Sequence, residues 1–212
     1  MKSVALLLTL VFSWAAAAES TLPIGQFSAG SLAGWEPKSF NGETQYTLVE
    51  NSGRQVLRAK SNSTASGLVR KIIVDLRQTP YLNWSWRVGN VLAGVNERSK
   101  QGDDFAARVY VVVSGGAFFW KTRSLVYVWS NNQPQGSTWK NPFTSNARVM
   151  ALRSGSTEAG QWVSEKRNVR ADFETLFGDT IDTIDAVAIM TDTDNSGQAA
   201  TAWYGDIYFS AQ

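Results

Sequence analysis

The chain has no histidine and no cysteine in its 212 residues. Without histidine there is no Ser–His–acid triad, no histidine-ligated zinc and no imidazole general base. Without cysteine there is no thiol nucleophile, no cysteine–zinc site, no lipid anchor through a thiol, and no disulfide, so the fold must stand on packing alone. Any enzymatic chemistry falls to carboxylates, Tyr, Lys, Arg or a hard metal ion. A dominant charge is missing too. Lys and Arg number 20 and Asp and Glu 18, a formal net charge of +2, and the basic residues are dispersed, which gives no footprint for nucleic acid. The one long apolar run, "VALLLTLVFSWAAAA" after Lys2, is too short and wrongly flanked to span a bilayer. With Ala16 and Ala18 just before Glu19 it reads as a cleaved export signal over residues 1–18, an uncleaved anchor being the alternative. No later segment is apolar enough to span a membrane. Residues 19–212 are therefore expected to form one domain with a sizeable core, in the periplasm or the medium. Its oligomeric state is not written in the sequence.

What is abundant is tryptophan: nine in all, eight of them after the signal. Short alternating runs rich in β-branched and aromatic residues lie between Gly, Asn and Ser turns. They predict strands at 44–50, 54–60, 66–75, 81–88, 105–113, 123–130, 147–152, 161–169, 184–191 and 203–209. One helix is predicted at 170–177, "RADFETLF", stopped by Gly178. Regular strands with no βαβ rhythm argue for an all-β fold, a single antiparallel β-sandwich of jelly-roll type with one short helix. Two stretches have no pattern, 89–104 and 131–146. They are either functional loops or plain connections at one end of the sandwich.

Strand parity assigns the faces. In "YLNWSWRV", Leu82, Trp84, Trp86 and Val88 point one way, so these tryptophans read as core. In "FAARVYVVV", Phe105, Ala107, Val109, Val111 and Val113 form the apolar face, with Arg108 and Tyr110 opposite. In "WYGDIYF", Trp203, Ile207 and Phe209 share a face, with Tyr204, Asp206 and Tyr208 opposite. If the three strands lie in one sheet, Arg87, Arg108, Tyr110, Tyr204, Asp206 and Tyr208 make an aromatic, charged face suited to sugars. The alternative is a face covered by loops, with its arginines paired to aspartates. Trp129 at a strand end and Trp139 in a loop, near Asn131, Asn132 and Gln135, would suit stacking on a polysaccharide. A loop folded back over Trp139 is the competing reading.

Several stretches together resemble a family of exported bacterial proteins known as domain of unknown function 3047. They are "GWEP" (34–37), "ASGLVRKI" (65–72), "LNWSWRV" (82–88), "GDDFAARVYVV" (102–112), "LVYVWS" (125–130), "NPFT" (141–144), "GQWVSEKRNVRADFETLFG" (160–178) and "MTDTDNSGQAATAWYGDIYF" (190–209). The match runs in order along nearly the whole mature chain. One departure is "SGGAFFWKTRS" between "YVVV" and "LVYVW", which is shorter than in many relatives. The resemblance implies a galactose-binding or jelly-roll-like β-sandwich and assigns no activity.

Two acidic constellations carry what chemistry there is. In "DTDNSG", Asp192, Asp194, Ser196 and Gly197 occupy positions one, three, five and six of an EF-hand-like loop. Trp203 stands where the twelfth-position glutamate should be, which excludes a complete EF-hand. A partial calcium site from Asp192 and Asp194, with Asp206 reaching back from the next strand, remains open beside a plain turn and an active-site wall. In "GDDFAAR", Asp103 and Asp104 point to opposite faces, and one could pair with Arg108 or Arg87. Asp103, Asp104, Asp192 and Asp194 are the candidate catalytic carboxylates if the two loops meet, since glycoside hydrolysis needs such a pair. "SAGSLAG" lacks the strand–loop–helix setting of a phosphate loop, so no organic cofactor is expected, and a structural calcium is the one cofactor candidate. The leading expectation is a non-catalytic protein that binds a carbohydrate or cell-envelope glycan, with Arg87, Arg108, Tyr110, Trp129, Trp139 and Tyr204 as ligand-binding candidates. The alternatives are a carboxylate-dependent glycan-active enzyme and an envelope assembly protein with a protein partner.

Overall fold

A computed structural model describes residues 21–212, and the export signal read over 1–18 lies outside them. In chain order the strands are β1 (Thr21–Gly25), β2 (Trp35–Asn41), β3 (Gln45–Asn51), β4 (Arg54–Asn62), β5 (Ala65–Asp75), β6 (Tyr81–Val88) and β7 (Phe105–Val113). They continue with β8 (Arg123–Ser130), β9 (Thr138–Lys140), β10 (Ala147–Ser154) and β11 (Val163–Asn168). The helix α1 (Val169–Phe177) follows, then β12 (Thr183–Asp192) and β13 (Ala199–Ser210). They build a sandwich of two sheets. The six-stranded sheet runs β11-β6-β13-β4-β3, with β1 also on β13, and the seven-stranded sheet runs β2-β5-β12-β7-β8-β10-β9.

The expected sandwich with one helix is what forms, with two refinements. Three strands, β1, β2 and β9, were not legible as strands. And the pairing is not wholly antiparallel: β10 runs parallel to β8, because the connection through β9 carries the chain back to the same end before β10 begins. The helix starts where Asn168 Oδ1 accepts the Ala171 N–H at 3.1 Å and stops at Gly178, whose φ of +82° closes the last turn.

The core lies between the sheets. Trp84 and Trp86 of β6 meet edge-on with centroids 5.4 Å apart, Trp84 packs on Tyr127 at 5.4 Å, and Trp86 meets Trp129 at 6.0 Å. All four are buried. Burying an indole is worth about 1.5–3 kcal/mol or more by area, and edge contacts add roughly 0.5–1.5 kcal/mol. These rings do the sheet-to-sheet joining that disulfides cannot do here.

Two bulges reset the parity read from sequence. Between Phe105 and Arg108, β7 takes three steps while β12 takes two. Ala106 and Ala107 both face the core, and Phe105 turns outward into a second cluster with Trp139, Val126, Val149 and Ala151. Between Tyr204 and Ile207, β13 takes three steps while β6 takes two. Tyr204 therefore faces the core with Ile207 and Phe209, and Trp203 turns outward. An extra residue in one strand of a pair does this wherever it occurs.

Candidate functional site

The outer face of the seven-stranded sheet is half covered. The stretch 131–146 folds over β8 and β10, where Trp139 packs with Val126, Val149 and Ala151, and the stretch 89–104, whose Leu92 and Val95 pack into the core between the sheets, is fastened to it beneath the surface. Glu97, fully buried, accepts the Ser130 hydroxyl at 2.6 Å and the Asn131 N–H. Burial raises the Glu97 carboxyl, and these hydrogen bonds oppose the rise. The Asn131 amide accepts the Leu92 N–H at 2.7 Å and donates to the Asp104 carbonyl at 2.9 Å. Asn132 donates to Val95 O at 2.7 Å. Two of the three amides expected to meet a sugar, Asn131 and Asn132, thus hold two loops together, and Gln135 is exposed.

The uncovered half is a groove over β2, β5, β12 and β7. One lobe, about 520 Å³, has Asp103, Arg108, Asp192 and Asp194 at its polar end and Phe143 and Thr144 on the loop wall. A second, more apolar lobe of about 230 Å³ continues along Val69, Val112 and Ala188. Phe40, Tyr110, Ser124 and Met190 line both. Phe40 and Phe143 are 67% and 55% exposed, high values for phenylalanine, and they stand on opposite walls.

The polar end is built on the first bulge. Outward parity puts Arg108 beneath the groove, and its guanidinium lies 4.4 Å from the Phe105 ring centroid. Arg108 Nε donates to Asp192 Oδ1 at 2.8 Å and Nη2 donates to Asp192 Oδ2, a bidentate pair. Nη1 donates to Asp103 Oδ1 at 3.4 Å and to the Tyr110 hydroxyl at 3.3 Å, and Nη2 also to the Asp103 carbonyl. Asn141 donates to Asp103 Oδ2 at 2.8 Å. Burial pushes the Asp192 carboxyl up to about 7 against the pull of Arg108, with Asp104 and Asp103 adding to the rise. Burial also pushes the Tyr110 phenol up to about 12, so it stays neutral.

The "DTDNSG" segment crosses from one sheet to the other. Asp104, fully buried, accepts the Asn195 side chain at 3.0 Å and the Asn195 and Ser196 N–H groups at 3.3 and 2.6 Å. Gly197 completes the turn at φ +66°. The run of oxygens is therefore first a turn, capped by a carboxylate from β7's approach. It is also an acidic cluster: one oxygen each from Asp104, Asp192 and Asp194 lies within 4.8 Å of the others, a set able to hold a metal ion.

Of the residues singled out in the sequence, the structure brings Asp103, Arg108, Tyr110, Asp192 and Asp194 to one groove, with Asp104 just behind. It separates the rest. Arg87 and Arg108 lie in different sheets, so the single aromatic face does not form. Arg87 is on the outer face of the six-stranded sheet, over the Trp203 ring at 4.8 Å. Tyr204 is in the core, donating to Met190 O at 2.8 Å, because of the second bulge. Trp129 is in the core, its Nε1 donating to Gly155 O at 3.0 Å. Trp139 is not in a loop but on β9, where it pairs with Val149 and is buried against Phe105 at 6.4 Å. Asp206 does not reach Asp192: β12 and β13 are in different sheets, and its carboxylate accepts the Ser28 N–H at 2.8 Å and the Ser28 hydroxyl. It lines a separate cleft of about 370 Å³ with Asn83, Glu165 and Tyr208. Phe40, Phe143, Asn141 and Asn195 were missed. The only signal for Phe40 and Phe143 is an aromatic beside polar and turn residues, which is too common to single out.

Residues 33–208 match the family described as Protein of unknown function (DUF3047). No curated protein matches the chain in sequence. Among solved structures, an engineered thermostable form of the Cel12A cellulase of Rhodothermus marinus is 11% identical with a TM-score of 0.51, over 90% of this chain and 100% of that one. The xyloglucanase domain of NopAA from Sinorhizobium fredii is 10% identical with a TM-score of 0.47, over 92% and 98%. A family 29 carbohydrate-binding module is 11% identical with a TM-score of 0.43, over 92% and 87%. Likeness at such identity speaks for fold alone.

Proposed function

The chain belongs to the DUF3047 family, and we propose that it is an exported, non-catalytic protein that binds a carbohydrate or cell-envelope glycan in the groove of the seven-stranded sheet. The observation that carries this reading is the pairing of exposed Phe40 and Phe143 across a cavity of about 520 Å³ with a polar end. Aromatic faces stack on sugar rings, and a few convergent polar groups fix orientation. Export to the periplasm or medium rests on the sequence signal and would put the groove where glycans are.

Binding is favoured over catalysis because the carboxylates at the groove are engaged. Asp103 and Asp192 both hold Arg108, and Asp104 caps a turn. One observation favours the enzymatic alternative: Asp192, raised to about 7, stands beside a second carboxylate, Asp194, with one oxygen of each within 4.8 Å of the other, and glycoside hydrolysis needs an acid and a carboxylate together. A structural calcium at the Asp104–Asp192–Asp194 set is the alternative use of these oxygens, since all its side-chain donors are hard; with calcium bound, Asp194 would not be free to meet a ligand.

One experiment separates these readings. The mature protein is incubated with bacterial, plant and fungal polysaccharides, with calcium or with EDTA, and retention and new reducing ends are scored together. Retention without new ends, lost in Phe40→Ala and Phe143→Ala, is expected. New ends abolished by Asp192→Asn would replace binding by hydrolysis. Retention abolished by EDTA would support the calcium set. No retention on any polysaccharide would overturn the glycan reading and leave a protein partner as the surviving function.

A further inference from the structure

We propose that the groove selects glycans that bring hydrogen-bond donors, hydroxyl or protonated amine, and discriminates against glycans carrying carboxylate or sulfate. This rests on the groove being the glycan site and names the ligand class it would take.

The argument begins with Arg108, the one cation among the described residues that line the polar lobe. A guanidinium has five N–H donors, and here each has an acceptor inside the protein. Nε is taken by Asp192 Oδ1, the two on Nη1 by Asp103 Oδ1 and the Tyr110 hydroxyl, and the two on Nη2 by the Asp103 carbonyl and Asp192 Oδ2. No charged donor is left to receive an anion. Arg108 is also only 3% exposed. Its work is to position Asp103 and Asp192.

The acceptors are in surplus. A carboxylate can accept about four hydrogen bonds. Asp194 accepts from Asn41 at 3.2 Å and from Asn195 at 3.3 Å and has capacity left. Asp103, Asp192 and Arg108 are buried, whereas Asp194 is half-buried, so Asp194 is the charged group a ligand reaches at this end. The neutral polar groups that line the same lobe, Ser124, Asn141 and Thr144, accept either partner. A uronate or sulfate laid here meets a like charge with its own acceptors unmatched, and a hydroxyl or an ammonium meets an acceptor. Two lysines stand at the rim, Lys38 at 6.0 Å from the Phe40 ring and Lys100 at 5.5 Å from the Phe143 ring. Both are exposed, so salt screens their attraction for anions while leaving the enclosed floor largely unscreened.

The test uses one set of glycan backbones (cellulose, galactan and dextran), each supplied plain, aminated and carboxymethylated. Affinity is measured in EDTA and at about 0.5 M salt, where the screening length falls below ~5 Å. On the backbone that binds, the plain or aminated form should bind at least about tenfold tighter than the carboxymethylated form. Asp194→Asn should narrow that ratio several-fold and Asp194→Lys should invert it, with unchanged circular dichroism showing that the variants fold. Equal or tighter binding of the carboxymethylated form, indifferent to both variants, would overturn the selectivity and leave the glycan reading standing. Absence of binding on every backbone, plain forms included and with calcium as well as in EDTA, would instead remove the glycan reading and this inference with it.

Discussion

Arg108 is the residue on which the site's integrity turns. It sits between two buried carboxylates, Asp103 and Asp192, for which it is the one ion-pair partner among the described residues. Replacing it by an isosteric apolar side chain would leave both acids buried without a counter-charge. Removing one partner of a buried pair costs about 3–5 kcal/mol, so Arg108→Met should lower the unfolding free energy by about that much in urea titration. A variant as stable as the parent would mean that water reaches the pair. Asp192 makes a separate prediction with pH. Its folded value of about 7 lies above its ordinary 3.8, so between these limits the folded state holds more protons than the unfolded one. The sign follows: the stability from this group is full below about pH 4 and is lost as pH rises through 7. The melting temperature should therefore fall from pH 5 to pH 8, and the fall should be smaller in Asp192→Asn, which has no proton to lose at this position. Parallel melting curves for the two proteins would place the Asp192 carboxyl in its ordinary range.

At the scale of elements, the groove depends on how the chain arrives at β7. The short 3-10 turn Lys100–Gly102 delivers Asp103 and Asp104 to opposite sides, and Gly102 packs directly on the backbone of Asn96. A Cβ there would lie 2.4 Å from Asn96 O and 2.6 Å from Asn96 N, and backbone cannot step aside as a side chain can. Gly102→Ala should cost about 1–3 kcal/mol and should weaken glycan retention as well, because both aspartates move with the turn. A stability loss with retention intact would separate the turn from the site. The same region marks the limit of what could be read from residues. Alternation found the middle of most strands, the helix and its glycine stop, and it put Trp84 and Trp86 inward. It failed wherever one residue was extra. Phe105 and Trp203 read as core and face outward, and Tyr204 read as outward and is core, since a bulge changes parity without changing composition. Trp139 was ambiguous for another reason. Whether a loop folds back depends on Glu97 and Asn131 meeting across more than 30 positions, and no local pattern encodes that meeting. The aspartates could be read as a group because acidic residues at two strand ends are conspicuous; their arginine, and its saturation, needed the register.

At the scale of the whole molecule, the groove and the core share one sheet. The strands that carry Tyr110 and Met190 outward, β7 and β12, carry Val109 and Ile189 inward, into the core they share with the rings of the opposite sheet. Trp86 and Trp129 join the two layers at 6.0 Å, and both are among the largest fully buried side chains. Cutting that contact should loosen the site without touching it. Trp86→Ala removes an indole from a closed core, which costs about 3–5 kcal/mol. The covering loops offer the one route to a different outcome, because they could peel away first and take Asn141 and Phe143 with them. Their fastening argues against it: Glu97 and Asn131 are buried, and Asp104 ties the same region to the turn after β12. Each of these hydrogen bonds is worth about 0.5–1.5 kcal/mol net of water, and about 1.5–3 kcal/mol where a carboxylate accepts, so losing them together makes peeling no cheap motion. Tryptophan fluorescence, which reports the core, and retention on the glycan, which reports the groove, should therefore be lost at the same urea concentration in the parent protein. In Trp86→Ala both should shift together to lower urea. Retention lost well before fluorescence would show that the loop wall is a separate cooperative unit, and the groove would then be a site that opens and closes on a folded sandwich.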